Sequence, residues 1–350
     1  MVYRRPPSRF GVNSLSMKLS LLISAICLIA GICAAALMLK SEEKQLVFEE
    51  HEVLKLSSNR LNQQFNNLVK TKINIAEQAN RVVINQLFYS SSQLADNQDA
   101  VLSFEADGSI RSSSNDGFSA AFLPQKNYSP FYKKLLHDSE SLWKILSPTL
   151  IEDFSNFYLI TKDNFIRIAP SNWALSVAGD HQFTKDSNFN YAQEAQNPTR
   201  EAVWSNVYYD EISHKWVISI LVPIYINNEF LGVTGSDLVL DTLISQLPIG
   251  DNDQHLFVFD GQGQLLAHPK LTKNKYEDYG QRGKRLNSND FVNADLQELI
   301  SQTIKMKLPK NADSFIQDGE THIINIRKVE HLDWYIGIYK KRSSALSALQ

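Results

Sequence analysis

Tyr208, Asp210 and Asp237 are polar side chains set in an otherwise apolar and aromatic stretch from Trp204 to Leu240. A carboxylate among residues such as Val233, Leu238 and Leu240 is costly to bury unless something pairs with it. Aspartate at a strand end also forms turns and caps, so each acid has a structural role open to it beside a binding one. Trp173, Phe189, Tyr191, Trp204 and Tyr208 have the chemistry to wall a pocket, since aromatic faces attract cations; their ordinary alternative is to fill a core. Arg167 offers the opposite chemistry, an anchor for an anionic ligand, unless it lies at the surface or pairs with a neighbouring acid.

Signatures of catalysis fail on inspection. Gly261-Gln262-Gly263 follows a strand but lacks the third glycine of a dinucleotide loop and precedes another strand, so it reads as a hairpin turn. Gly235-Ser236-Asp237 lacks the glycine that a nucleophile elbow needs two residues after the serine. The histidines are scattered, and Cys27 and Cys33 both fall in an apolar segment, which argues against a structural metal. The expectation is a non-enzyme with no cofactor and no metal. Residues 1–39 hold Arg4, Arg5, Arg9 and Lys18 and no acid, so the net charge of −3 leaves −7 for the remainder, which disfavours nucleic acid as a partner.

The elements that must position these residues follow from periodicity. Three successive antiparallel strands are expected at 204–209, 216–225 and 230–238, with turns at Asp210 to Ser213 and at Asn227-Asn228. Before them come a hairpin at 101–113 turning at Asp107-Gly108 and a polar, proline-containing loop. Helical stretches at 130–137 and 142–154 follow, then a hairpin at 157–168 turning at Asp163-Asn164, then irregular chain with a short helix at 191–196. After Leu240 a smaller version of the layout is expected. It has a short helix capped by Asp241, strands at 255–260 and 264–268, a helix at 294–307, and strands at 314–317, 322–328 and 334–339 with a turn at Asp318-Gly319. Two α+β units in tandem, each around one antiparallel sheet, is the fold class this pattern predicts.

Upstream, Leu19 to Leu39 is an uncharged run long enough to span a bilayer. The basic residues before it and Glu42 and Glu43 after it place residues 1–18 in the cytoplasm and the main body outside, as a single-pass inner-membrane protein. A cleaved signal peptide ending near Ala34-Ala35-Ala36 is the competing reading. Residues 40–90 contain no proline or glycine and carry a heptad-like stripe of Leu54, Leu61, Phe65, Leu68, Ile75, Ala79 and Val82, interrupted by Ser58 and Lys72. This segment is expected to be a long helix whose C-terminal half packs on its own domain and whose other half is a stalk that pairs with a second copy to give a homodimer.

Several pieces, in order, resemble the double Cache family of bacterial extracytoplasmic sensor domains. They are Asn197-Pro198, Trp204, Tyr208-Tyr209-Asp210, Pro223-Ile224-Tyr225 and Gly232-Val233-Thr234-Gly235-Ser236-Asp237, then Ala267-His268-Pro269 and Trp334-Tyr335-Ile336-Gly337. The resemblance covers about residues 40–342 and implies two PAS-like units, a membrane-distal one at 91–240 and a membrane-proximal one at 241–342, with a tail at 343–350. It implies binding of a small-molecule ligand in the distal unit, with Asp210 and Asp237 accepting its ammonium group, and signalling through helices across the membrane. Amino-acid-binding members of the family carry an Arg-x-Trp-Tyr motif before the central strands; the corresponding Asp186-Ser187-Asn188-Phe189-Asn190-Tyr191 has no arginine. No second apolar span or output module follows the last strand in this sequence, so three readings stay open: a truncated receptor, a stand-alone sensor with a signalling partner in trans, or a fragment. The alternative, from another class, is an interaction module that docks a protein partner and holds no small ligand.

Overall fold

The computed structural model describes residues 15–90, 101–114, 116–247, 253–268, 294–306, 314–318 and 322–347. Expected features at 91–100, Pro269, Lys307 and Gly319 lie outside these residues.

One helix organises the rest. α1 runs without interruption over Leu15–Ile84 and ends in a π-helical turn at Asn85–Tyr89. Seventy residues at 1.5 Å each make it about 105 Å long. The apolar segment and the stalk, read from the sequence as two elements, are therefore a single rod. Its N-terminal part is exposed and is long and apolar enough to cross a membrane by length and composition. Its buried face begins at Leu54 and continues through Ser58, Leu61, Phe65, Val69, Lys72, Ala76, Ala79, Val83 and Leu87. The mean step along that face is close to the 3.6 residues of a straight helix, not the 3.5 of a coiled coil. This corrects the heptad reading: Ser58 and Lys72, taken as interruptions, sit on the buried stripe, while Val82 is exposed.

The strands form two antiparallel sheets against that helix. The large sheet contains β1 (Val101–Phe104), β2 (Ser109–Ser113), β3 (Ala120–Pro124), β4 (Asn156–Thr161), β5 (Ile166–Ala169), β6 (Val203–Trp204), β7 (Tyr208–Asp210), β8 (Lys215–Ile226) and β9 (Glu229–Val239). Its order is β1-β2-β3-β5-β4-β9-β8-β6, with β7 also on β8. The small sheet contains β10 (His255–Asp260), β11 (Leu265–Ala267), β12 (Ser314–Asp318), β13 (His322–Lys328) and β14 (Trp334–Lys341), in the order β11-β10-β14-β13-β12. A core of α1 residues with Phe157, Ile218, Ile220, Ile336 and Ile338 runs across both sheets.

Turn chemistry matches the sequence. Asn164, Asn227 and Asn228 take φ of 67°, 50° and 67°, and Gly108 takes 82°. Other expectations change. β3 occupies the segment read as a polar loop and joins the β1-β2 hairpin to β5. α2 is one helix over Pro130–Asp153, capped by Ser129, not two. Between the two expected helices, Ser139 and Glu140 are buried and both bond to Arg167. The short helices are α3 (Asn172–Ser176) and α4 (Ser187–Ala192), upstream of the expected 191–196. The first central strand is split into β6 and β7, since Ser205 folds back so that its Oγ accepts from Ser219 N at 2.9 Å. Asp241 lies in the first turn of α5 (Leu240–Ser245), whose N-cap is Val239. The second unit adds α6 (Ala294–Met306) and α7 (Arg342–Ala345).

Candidate functional site

Strand alternation sorts the large sheet into two faces. Phe157, Leu159, Ile218 and Ile220 face α1 and α2. Tyr158, Ile160, Ile166, Ile168, Leu221 and Val233 face the connection between β5 and β6, which carries α3 and α4. Between that face and the connection lies a cavity of about 250 Å³. Ile160, Ile166, Ile168, Trp173, Phe183 and Phe189 form its apolar walls; Tyr158, Asp186, Asn188, Tyr208, Asp210 and Asp237 supply its polar groups.

Asp237 is the most confined carboxylate of these, at 5% exposure. Its Oδ1 accepts from Ser219 Oγ at 2.6 Å and its Oδ2 from Asn156 Nδ2 at 3.0 Å. The Tyr208 hydroxyl lies 3.0 Å from the same Ser219 Oγ. Every one of these partners is neutral. Burial therefore dominates and pushes the Asp237 carboxyl up from 3.8 to about 6, against the pull of its hydrogen bonds from Ser219 and Asn156. Burial, with the nearby Asp237 charge, holds the Tyr158 and Tyr208 phenols well above their ordinary value, so both remain protonated donors at neutral pH. Asp210 is tied down differently: its Oδ1 accepts from Trp173 Nε1 at 3.2 Å and from Ile212 N at 3.0 Å, closing the turn after β7. Asp186 pairs with His181 Nε2 at 3.0 Å.

The lining thus carries three carboxylates and, among the described residues, no lysine or arginine. Such a wall suits a cation small enough for the space, and its aromatic faces add to the attraction.

Of the residues singled out from the sequence, Asp237, Asp210, Tyr208, Phe189 and Trp173 meet around this cavity. Three do not. Arg167 sits between Ile166 and Ile168 and so points to the opposite face of the sheet. There it is fully buried, with Nη1 2.5 Å from Glu140 Oε2, Nη2 donating to Leu136 O and Nε donating to Ser139 Oγ. An anion-binding role for it is excluded by that position. Trp204 pairs with Ile220 on β8 and packs on the α1 side. Tyr191 lies beside the cavity, its hydroxyl accepting from Asn206 Nδ2 at 2.8 Å. Sequence reasoning missed Tyr158, Phe183, Asp186 and Asn188. For Tyr158 a signal existed: in Phe157-Tyr158-Leu159-Ile160 it alternates onto the face shared with Asp237.

Tyr158 lies directly across from Gly235. A Cβ at Gly235 would fall 2.1 Å from the Tyr158 ring. Gly235→Ala is accordingly expected to drive the ring into the cavity, lowering stability by about 1–3 kcal/mol and weakening solute binding. Thermal unfolding and titration calorimetry measure both effects; a variant indistinguishable from the parent shows that the ring has space elsewhere.

The sequence matches the family described as Cache domain over residues 39–349. A comparison with curated proteins gives no match. Among solved structures, the chain resembles the ligand-binding domain of the Pseudomonas aeruginosa PAO1 amino acid chemoreceptor PctB in complex with L-Arg. The TM-score is 0.52 at 16% identity, covering 85% of this chain and 97% of that one. It also resembles the ligand-binding domain of the Pseudomonas fluorescens chemoreceptor CtaA in complex with L-serine, with a TM-score of 0.51 at 16% identity over 84% of this chain and 98% of that one. At these identities the likeness is one of fold.

Proposed function

The chain belongs to the Cache domain family, and on that premise we propose that it is a membrane-anchored sensor whose first unit binds a small amine. The observation that carries this reading is Asp237: a confined carboxylate with only neutral partners, facing a cavity that lacks a basic side chain. A protonated amine supplies the missing charge. The α-carboxylate of an amino acid would meet three aspartates and no arginine, so amines without a carboxylate are favoured over amino acids. The amino-acid complexes of the structural relatives support a small solute in this fold.

The exposed apolar part of α1 serves as the single membrane span, with the basic N-terminus inside and the two units outside. The first unit is then distal to the membrane and the second proximal. Phe48, Val53 and Leu56, exposed on α1 just above the span, support pairing with a second copy.

A thermal-shift series on the full chain in nanodiscs tests the reading, with monoamines, diamines, amino acids, carboxylates and sugars as probes. A binder at a hundredfold excess over its Kd adds about 2.7 kcal/mol, and the expected response is to amines. A response confined to carboxylates or sugars, or none to any probe, overturns it.

A further inference from the structure

The two halves of the buried face of α1 treat their polar residues in opposite ways. In the first unit each is satisfied: Asn80 Nδ2 donates to Val222 O at 3.0 Å and Thr234 Oγ1 at 2.8 Å on the large sheet, and Lys72 Nζ donates to Asp153 O at 3.0 Å and its Oδ1 at 2.8 Å at the end of α2. On the small sheet they are not. Ser58 is fully buried with its hydroxyl unpaired, and Asn62 Oδ1 is unpaired while its Nδ2 makes only a 3.4 Å contact to Lys328 O. Across the interface Asn325 is fully buried, with neither its amide nitrogen nor its oxygen bonded. Asn325 shares the α1-facing side of β13 with Ile323. Buried polar atoms are ordinarily paired, and a cluster of exceptions is a store of strain.

Flanking contacts set the register. Lys340, paired with Ile323, bonds to Glu50 at 2.9 Å, and Lys328 lies at Asn62. Asn325 therefore lies level with the stretch of α1 between Glu50 and Asn62, where Ser58 is the buried polar residue. Asn62 is one turn above Ser58 on the same helical face. The Asn62 amide now lies at Lys328 O, and lowering α1 toward its apolar end carries it down β13 toward the Asn325 amide.

Independent of this, a cleft of about 280 Å³ separates the units. Val203, Trp204 and Val207 of the large sheet line one side, and Gly261, His331 and Leu332 of the second unit line the other. The same downward displacement narrows it, because Asn80 ties α1 to β8 and β9 and Lys72 ties it to α2.

We propose that the large sheet and α1 move as one body over the small sheet, from the open register described here to a closed one in which Asn62 pairs with Asn325. Bistable packing of this kind turns small changes at a ligand site into discrete shifts. The motion is a property of the unliganded chain and does not depend on which solute the cavity holds.

The test uses the full chain in nanodiscs, with Cys27 and Cys33 replaced by alanine and spin labels at Asn206→Cys and Gln262→Cys, exposed residues on opposite sides of the cleft. Pulsed dipolar spectroscopy is expected to give two distances in the parent and to lose the shorter one in Asn325→Val. That substitution removes the unpaired amide from the open register and should raise Tm on the order of 2–4 °C, contrary to the usual result of changing a core residue. Asn62→Leu is expected to behave in the same way. A single distance in the parent, two distances surviving in Asn325→Val, or a fall in Tm overturns the proposal.

Discussion

Replacing Asp237 by asparagine is expected to abolish solute binding while making the empty protein more stable above pH 6. Asp237 is buried with hydrogen bonds but no cation, which is why its carboxyl titrates near 6 and not at 3.8. The folded state therefore holds a proton that the unfolded chain has already released between about pH 4 and pH 6. Stability falls as pH rises through that window, and the full cost, about 3 kcal/mol for two pH units, is present above it. Asparagine carries no charge, so the variant should lack this decline. Its advantage at pH 8 is expected to be about 1–3 kcal/mol, because the amide reproduces only part of the bonding to Ser219 and Asn156.

Binding should move the other way. Losing the charged partner of a buried cation costs at least about 2 kcal/mol, or roughly 30-fold in affinity. In the parent, amine affinity should fall about tenfold for each pH unit below 6, as Asp237 takes up its proton. Calorimetry with an amine identified by the thermal-shift series, run from pH 5 to 8 on both proteins, measures both effects. Retained affinity in Asp237→Asn, or tighter binding at pH 5, would remove Asp237 from the site.

The largest loss of stability is expected at Arg167. Burial lowers its guanidinium to about 10, so it remains charged at neutral pH beside Glu140 in a fully enclosed position. Arg167→Ala leaves the Glu140 carboxylate buried without its partner, and Glu140→Ala does the same to the guanidinium; each should cost about 3–5 kcal/mol. The double change Arg167→Ala with Glu140→Ala should cost much less than the sum, since neither charge is then left buried alone. Chemical denaturation of the four proteins closes this cycle. Additive losses would mean that the pair is not coupled. Solute binding by the double variant should persist, because the pair lies behind the sheet from the cavity.

How far the sequence revealed this arrangement depended on the range of the interaction. The Asn227-Asn228 and Asp163-Asn164 turns were legible because asparagine tolerates positive φ locally, and the strands beside them because period-two alternation is local as well. Asp237, Asp210 and Tyr208 were legible because polar groups stand out in an apolar strand. Pairing with an acid was one of the readings open for Arg167, but its partner was not legible, because nothing in Ile166-Arg167-Ile168 says which face meets the cavity; that depends on β4, β9 and α2, all distant in sequence. The continuity of α2 through Ser139 and Glu140 was missed for the complementary reason, since both bond to that same arginine. β3 carries Ala120 and Ala121, small residues whose strand pairing is fixed by neighbours and not by intrinsic preference.

The continuity of α1 has a geometric consequence. Because one unbroken rod carries both the sheets and the apolar segment, the compass direction of each side chain on the apolar segment is set by a residue count. One residue added between Leu39 and Leu54 turns the whole lower rod by about 100° relative to the sheets, whereas seven return it to nearly the same azimuth. The stretch from Lys40 to Val53 thus acts as a phase setting: Glu43 and Glu50 tie it to Arg342 and Lys340, and its length fixes which side of the apolar segment a second copy would meet.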